Sequence, residues 1–262
     1  MSAVPAKGAG WDPGQYLAFA GHRLRPALEL LSRIPLAAPR HVVDLGCGAG
    51  NVTAHLRRRW PQASIVGVDT SAEMLAAAAK ADPAIAWVQA DFATWMPGTP
   101  PDLIYANASL HWVDDQTALF TRLMGLLAPG GALAVQMPRN FDQPSHTLMH
   151  DAAAAGPWAA RLAQMQRRVP VEGPAFYYDL LAPLGKQVDL WETRTMQVLT
   201  GENPVAEFTK GSWLKPLLDA LDEPQRSAFE ADYRGRVLAA YPPRADGTTL
   251  FPFTRLFIVA VK

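Results

Sequence analysis

The residues that could do chemistry fall just after short apolar runs. Val42-Val43-Asp44-Leu45-Gly46-Cys47-Gly48-Ala49-Gly50-Asn51 carries one such run into a glycine-rich turn that opens a helix. Glycine lets backbone approach a ligand closely and take positive φ, and a helix start offers free N–H groups. The spacing is G-x-G-x-G, without the third-glycine spacing of the dinucleotide fingerprint. Asp44, two residues before the first glycine, is awkward for a pyrophosphate and natural for a ligand bearing an ammonium group. Asp69 closes the next run. A carboxylate there can accept both hydroxyls of a ribose, or cap the helix that follows Ser71. Asp91-Phe92 closes a third run, and carboxylate plus ring suits an adenine; the alternative is a cap beside a core side chain. Asn107-Ala108-Ser109-Leu110-His111-Trp112 follows a fourth run, where polar groups meet a large aromatic. His111 can serve there as a base, as a donor to a carboxylate, or as a satisfied loop histidine.

These residues need elements to hold them. His41–Leu45, Ser64–Asp69, Ala84–Asp91, Asp102–Leu110 and Ala132–Met137 read as strands. Between them, Asn51–Trp60 has Val52, Leu56 and Trp60 four apart, which is one helix face. An Ala-rich helix runs from Ser71 to about Ala81, and another from Asp114 or Asp115 to Leu127, stopped by Pro129-Gly130-Gly131. Strands alternating with helices imply a parallel sheet with right-handed crossovers. Ligands of such sheets sit at the carboxyl ends of the strands. In the second half, Ser145–Ala155 and Gln225–Tyr241 read as helices, and Gln187–Leu199 and Arg255–Lys262 as strands. The expected whole is a single domain over 1–262. A helical cap of about 141–185 and 201–250, joined by an N-terminal helix at 12–33, covers the strand ends.

Composition removes several functions. The 262 residues carry 24 Lys+Arg and 24 Asp+Glu, a formal net charge of zero. Binding along a phosphate backbone needs a basic excess, so no nucleic-acid partner is expected. Cys47 is the single cysteine, which excludes an intrachain disulfide framework. The densest apolar stretches, such as Leu256–Val261, are too short to span a bilayer. The expectation is a cytoplasmic monomer with no membrane partner and no metal.

The residues 42–51, 67–69, 90–92 and 128–137 together resemble the class I S-adenosylmethionine-dependent methyltransferases. Further stretches narrow the likeness: Trp11 to Phe19, His22 to Pro26, 106–113, 134–140, Pro144-Ser145-His146, Tyr177-Tyr178-Asp179-Leu180-Leu181 and 253–260. With these the chain is similar to the trans-aconitate 2-methyltransferase family over nearly its whole length. The resemblance implies an α/β, Rossmann-like fold with a seven-stranded, mostly parallel sheet whose last strand is antiparallel. It implies S-adenosyl-L-methionine as cofactor and a small carboxylate as acceptor. Asp44 would lie near the methionine amino end, Gly46 and Gly48 would back the cofactor, and Asp69 would hold the ribose. Met74 would lie near the adenosine, Asp91 and Phe92 would hold the adenine, and Asn107 would place its backbone near the methionine part.

A carboxylate is ionised at pH 7, its reference pKa being about 4, so methyl-ester formation needs no general base. It needs positioning, which can supply up to roughly 7–11 kcal/mol. The spare carboxylates of a tricarboxylate call for cationic or hydroxyl donors, arginine best of all. The candidates are Arg23, Arg25, Arg255, His111, His146, Tyr177, Tyr178 and Lys215, with tyrosine or histidine expected at the reacting carboxylate and arginines further out, and with Trp112 and Trp213 as walls. Lys215 stands where the family pattern suggests arginine, and Arg139 where relatives often carry an acid. Rival expectations are a malonyl-[acyl-carrier protein] methyltransferase, a carboxylate methyltransferase of specialised metabolism, a nucleotide-dependent dehydrogenase, and a non-catalytic nucleotide-binding module.

Overall fold

Short apolar runs make the strands, and two of the helices between them, Ala72–Ala81 and Gln116–Leu126, begin at side-chain caps. The computed structural model describes residues 20–165 and 171–262, with side chains described from residue 24 onward apart from Ser212. Seven strands form one sheet: β1 His41–Leu45, β2 Ser64–Asp69, β3 Ala86–Gln89, β4 Leu103–Asn107, β5 Ala132–Pro138, β6 Gln187–Thr200 and β7 Thr248–Val261. Their order is β3-β2-β1-β4-β5-β7-β6. The first five pair in parallel, and β7 runs antiparallel to β5. This is the sheet the sequence implies. β7 begins at Thr248, seven residues before the expected Arg255, and β6 ends at Thr200.

The helix starts have local causes. Ser71 caps the Ala72–Ala81 helix, its Oγ accepting from the Met74 N–H at 3.2 Å. Asp115 caps Gln116–Leu126, accepting from the Ala118 N–H at 2.8 Å. Such caps satisfy donors that the helix leaves unpaired. The expected Asn51–Trp60 helix is shorter, Thr53–Arg59, with Leu56 and Trp60 buried against β1 and β2 residues. The Arg59 guanidinium donates to the carbonyls of Leu31 and Ile34 at the end of the Ala20–Ser32 helix.

The described residues separate into two compact units. One holds 23–139, 171–193 and 254–262; the other holds 20–22, 140–165 and 194–253. In the first unit one sheet face buries Leu45, Ile104, Val135, Met137 and Ile258 with Leu119, Phe120, Leu123, Tyr177 and Leu181. The opposite face buries Val42, Tyr105, Ala134, Phe257 and Val259 with Leu30, Leu31, Leu56 and Trp60. Two segments expected in the cap therefore belong to the sheet unit. The N-terminal helix, from Ala27 to Leu31, packs on the sheet, and so does the Pro174–Leu181 helix. Its Tyr177 and Leu181 are fully buried with Phe120, Leu123 and the strand residues, and that apolar burial holds the helix to the sheet. The part of the expected 12–33 helix before residue 20 lies outside the described residues.

The second unit is mainly helical. Pro144–Ala155, Pro204–Thr209 and Gln225–Ala240 close on a core of Met149, Trp158, Leu217, Phe229, Tyr233 and Phe251.

Candidate active site

The register of the sheet decides which polar residues share a face. Side chains alternate along a strand, and residues level with one another on neighbouring strands point the same way. Asp44 is level with Gly67 and Tyr105; Asn107 is level with Gln136, and Gln136 with Phe257; Pro138 is level with Arg255. Asp44, Asn107, Gln136 and Arg255 thus stand on one face, at the carboxyl ends of β1, β4 and β5 and beside the start of the β7 segment that pairs with β5. Each step from β1 towards β7 lies further out along the sheet.

Asp44 is buried and accepts a 2.7 Å hydrogen bond from Thr53 Oγ1. Burial is the main cause that pushes its carboxyl up to about 7; the Thr53 bond opposes the rise and the nearby Asp69 adds to it. The turn after β1 is held by Gly46 and Cys47, whose N–H groups both donate to the Val68 carbonyl at 2.8 and 3.1 Å. Gly46, Gly48 and Gly50 have φ of 74°, 54° and 79°, a region L side chains avoid. A Cβ on Gly46 would sit 2.3 Å from Ser109 Cβ, whereas one on Gly48 would meet no atom within 4 Å. Gly46 is therefore required by packing, and Gly48 leaves open space over the turn. Trp87 supports the turn from beneath: its ring lies against Gly50 and Gly67, where added Cβ atoms would come within 2.7 and 2.4 Å.

Asp69 has two local tasks. One carboxylate oxygen accepts from the Gly48 N–H and the other from the Ser71 N–H, both at 2.9 Å. It thereby ties the glycine turn to the next helix start, while Ser71 itself is the cap. A carboxylate has about four lone-pair sites, so each oxygen keeps acceptor capacity for hydroxyls. Asp91 is exposed and accepts from the Ala93 N–H at 2.9 Å. Phe92 is partly buried against the sheet core, and its carbonyl accepts from Arg122 at 3.2 Å. Met74 lies part-buried in the first turn of its helix.

After β4 the chain turns through Ala108, at φ 55°. Ser109 Oγ donates to the Leu45 carbonyl at 2.7 Å, which joins this turn to the glycine turn. His111 is buried, with its ring 4.8 Å from Trp112, in the 3-10 turn Leu110–Trp112. Gln116 braces that turn, its Nε2 donating to the Leu110 and Val113 carbonyls at 3.0 and 2.8 Å.

The two tyrosines are not brought to the strand-end row. Tyr177 is fully buried on the other sheet face, where its hydroxyl donates to Gln116 Oε1 at 3.1 Å and accepts from the Glu172 N–H at 3.3 Å. Burial pushes its phenol well above the ordinary range. It holds Gln116, which in turn holds the His111 turn, so it positions rather than touches. Tyr178 is 53% exposed on the same helix. Lys215 is ion-paired with Asp219 at 2.8 Å, one turn on. Arg139 pairs with Glu192 at 3.1 Å. Arg255 is buried in β7. The side chain of Arg23 lies outside the described residues.

Within the helical unit, His146, Phe141 and Trp213 form a ring cluster. Centroids are 5.0 Å apart for Phe141–His146, 5.1 Å for Phe141–Trp213 and 6.1 Å for His146–Trp213. Trp213 is carried by a π-helical turn, Lys210–Leu214, a distortion frequent at functional sites. His146 is buried and hydrogen-bonded to Ser145 Oγ at 3.0 Å. Burial, with His150 nearby, lowers its pKa to about 4, so it offers a neutral ring at physiological pH rather than a cation.

The sequence assigns no role of its own to Gln136, Ser109, Gln116 or Trp87. Only Gln136 carries a signal of its own, as a lone amide inside an otherwise apolar strand.

A mixed sheet with this order, a glycine turn after β1 and acids ending β1 and β2 define the class I methyltransferase fold. The methyltransferase-domain family matches residues 16–181. Phosphoethanolamine N-methyltransferase 2 of Haemonchus contortus, solved with S-adenosyl-L-methionine, superposes with a TM-score of 0.53 at 16% identity, covering 91% of this chain and 52% of that one. The trans-aconitate 2-methyltransferase of Azoarcus sp. (strain BH72) is 52% identical over 252 residues, 96% of this chain and 99% of the relative. That of Acidovorax ebreus (strain TPSY) is 49% identical over 253 residues, 96% and 98% of the two chains. The chain is an enzyme that belongs to the trans-aconitate 2-methyltransferase family.

Proposed function

We propose that this enzyme transfers a methyl group from S-adenosyl-L-methionine to one carboxylate of trans-aconitate or a closely related small di- or tricarboxylate. The products are the monomethyl ester and S-adenosyl-L-homocysteine. The observation that carries this reading is the pairing of a buried acid, Asp44, with a buried guanidinium, Arg255, on one face of the sheet. They stand three strands apart and four residues offset along the strands, roughly 19 Å at about 4.8 Å per strand and about 3.3 Å per residue. That spacing suits a cationic cofactor at one end and an anionic acceptor at the other.

The residues fit the cofactor. Among the described residues no cation offsets the buried Asp44 carboxyl, and an ammonium would. Asn107 Oδ1 is buried without a hydrogen-bond partner there, and the open space over Gly48 admits a close approach. Asp69 would take the ribose hydroxyls with its remaining lone pairs, and Asp91 with Phe92 would flank the adenine. When bound, the cofactor supplies a methyl group already activated by a sulfonium.

The chain's own residues then hold the acceptor and exclude water. The acceptor oxygen bonds to the methyl carbon as the carbon–sulfur bond breaks, and that electron pair stays on sulfur. One positive and one negative charge cancel, and no proton moves. His111 and Trp112 would wall the reacting carboxylate. Arg255, with Arg23 as a further candidate, would bind a spare carboxylate.

The test is methyl transfer from labelled cofactor to trans-aconitate, cis-aconitate, citrate, isocitrate, itaconate and malonyl-carrier protein. Fastest transfer to trans-aconitate is expected. Transfer to the carrier protein alone, or none with cofactor still bound, would overturn the acceptor assignment.

A further inference from the structure

Gln136 is the most buried polar side chain of the strand-end row, with no exposed surface. Among the described residues neither its Nε2 nor its Oε1 has a hydrogen-bond partner. A buried amide left so bears the full desolvation cost of each unpaired group. Buried unpaired groups are rare in native proteins and ask for a reason. The neighbours on either side sharpen the point. Asn107, level with it on β4, also has a buried Oδ1 without a partner. On β7, Phe257 is level with it and stacks on Trp191 at 4.8 Å, so that side supplies no polar group. Arg255, one pair further out, shares its face.

We propose that Gln136 is an acceptor-binding and specificity-determining residue, whose amide N–H holds one oxygen of the reacting carboxylate. This rests on the carboxyl methyl transfer proposed above and adds the group that orients the nucleophile. Position favours the acceptor over the cofactor. The cofactor residues end β1, β2, β3 and β4, and Gln136 stands one strand beyond, between Asn107 and Arg255. Chemistry favours an amide at that point. A guanidinium fork would bind both carboxylate oxygens and occupy the lone pair that must attack. A single neutral N–H fixes one oxygen and leaves the other nucleophilic. Its Oε1 is then free to accept from a donor at the Asn107 side, where the cofactor's ammonium would lie.

The test uses Gln136→Leu and Gln136→Glu in the full-length enzyme. It reads steady-state transfer to trans-aconitate, cofactor affinity by calorimetry, and Tm. For Gln136→Leu, acceptor kcat/KM should fall at least tenfold, with cofactor Kd within about twofold and Tm unchanged or higher, since an unpaired amide is removed. For Gln136→Glu, the new buried carboxyl faces the acceptor carboxylate. Burial raises its pKa, and only its protonated form can donate. Its activity relative to wild type should therefore climb as pH falls from about 8 to about 6, a signature a structural role would not produce, and this variant decides the matter if Gln136→Leu does not fold. Activity of Gln136→Leu within twofold of wild type, a parallel loss of cofactor affinity, or a flat relative pH profile in Gln136→Glu would each overturn the proposal while leaving the acceptor class standing. A wild-type enzyme silent towards every carboxylate would overturn both.

Discussion

Asp44 gives the residue scale its clearest pH signature. Its carboxyl is raised to about 7 by burial, against a reference of about 3.9 in an unfolded chain. Between those values the folded protein keeps a proton that the unfolded chain has released. The unfolding free energy therefore falls as pH rises through that window and levels off above it; Asp44→Asn should flatten the fall. A cofactor ammonium would favour the carboxylate, so binding should tighten as pH rises towards 7, with release of a proton, and level off above it. Calorimetry in two buffers of different ionisation heat would detect that release. Binding with no proton release would separate Asp44 from the ammonium. At this scale the sequence is legible where residue type and place coincide, as for Asp44 and Asp69 at strand ends. It is illegible for Tyr177, because a Tyr-Tyr pair says nothing about which sheet face a helix will bury.

Elements decide what those residues can do. Gly46 and Gly48, two of the turn's three glycines, make a contrast that a single substitution each can read. Gly46→Ala sets a Cβ 2.3 Å from Ser109 at positive φ, so the β1 and β4 turns must part and the fold should lose several kcal/mol. Gly48→Ala meets nothing within 4 Å, and should lose only the roughly 1–2 kcal/mol of a left-handed L residue. Its new methyl instead enters the space over the turn, so cofactor affinity should drop more than Tm. Equal affinity losses in the two variants at matched stability would sink that distinction. The Pro174–Leu181 helix makes a second case. Tyr177→Phe leaves Gln116 Oε1 and the Glu172 N–H without their partner, at a cost of about 1–3 kcal/mol. Acceptor KM should hold and kcat fall modestly as the His111 turn loosens. A kcat loss of several hundredfold at unchanged Tm would return Tyr177 to the reacting groups. The five parallel strands are legible because each is an apolar run with a clear stop. The place of this helix is not, because its apolar pattern fits a cap and a sheet face equally well.

At the scale of the whole molecule, charge is the informative quantity. With 24 basic and 24 acidic residues the protein has no net charge to draw in a polycarboxylate, unlike proteins whose strong charge excess steers their ligands. Any preference for a polycarboxylate must then come from a few cations at close range. Exposed charges are screened beyond about 10 Å at 0.1 M salt, and a buried guanidinium is screened far less. Arg255 is buried, whereas Lys215 is partly exposed, so salt must act on the two differently. Between about 0.02 and 0.5 M salt, kcat/KM for trans-aconitate should fall by less than about tenfold. Arg255→Gln should raise acceptor KM roughly ten- to hundredfold, the loss of a charged hydrogen bond of about 1.5–3 kcal/mol, and leave cofactor KM nearly unchanged. Lys215→Ala should shift neither beyond the roughly 0.3–0.5 kcal/mol of a helix-surface pair. Steady-state kinetics across the salt series for the three proteins would check all of this. A steep salt dependence abolished by Lys215→Ala and untouched by Arg255→Gln would move acceptor recognition from the buried strand residue to the lysine.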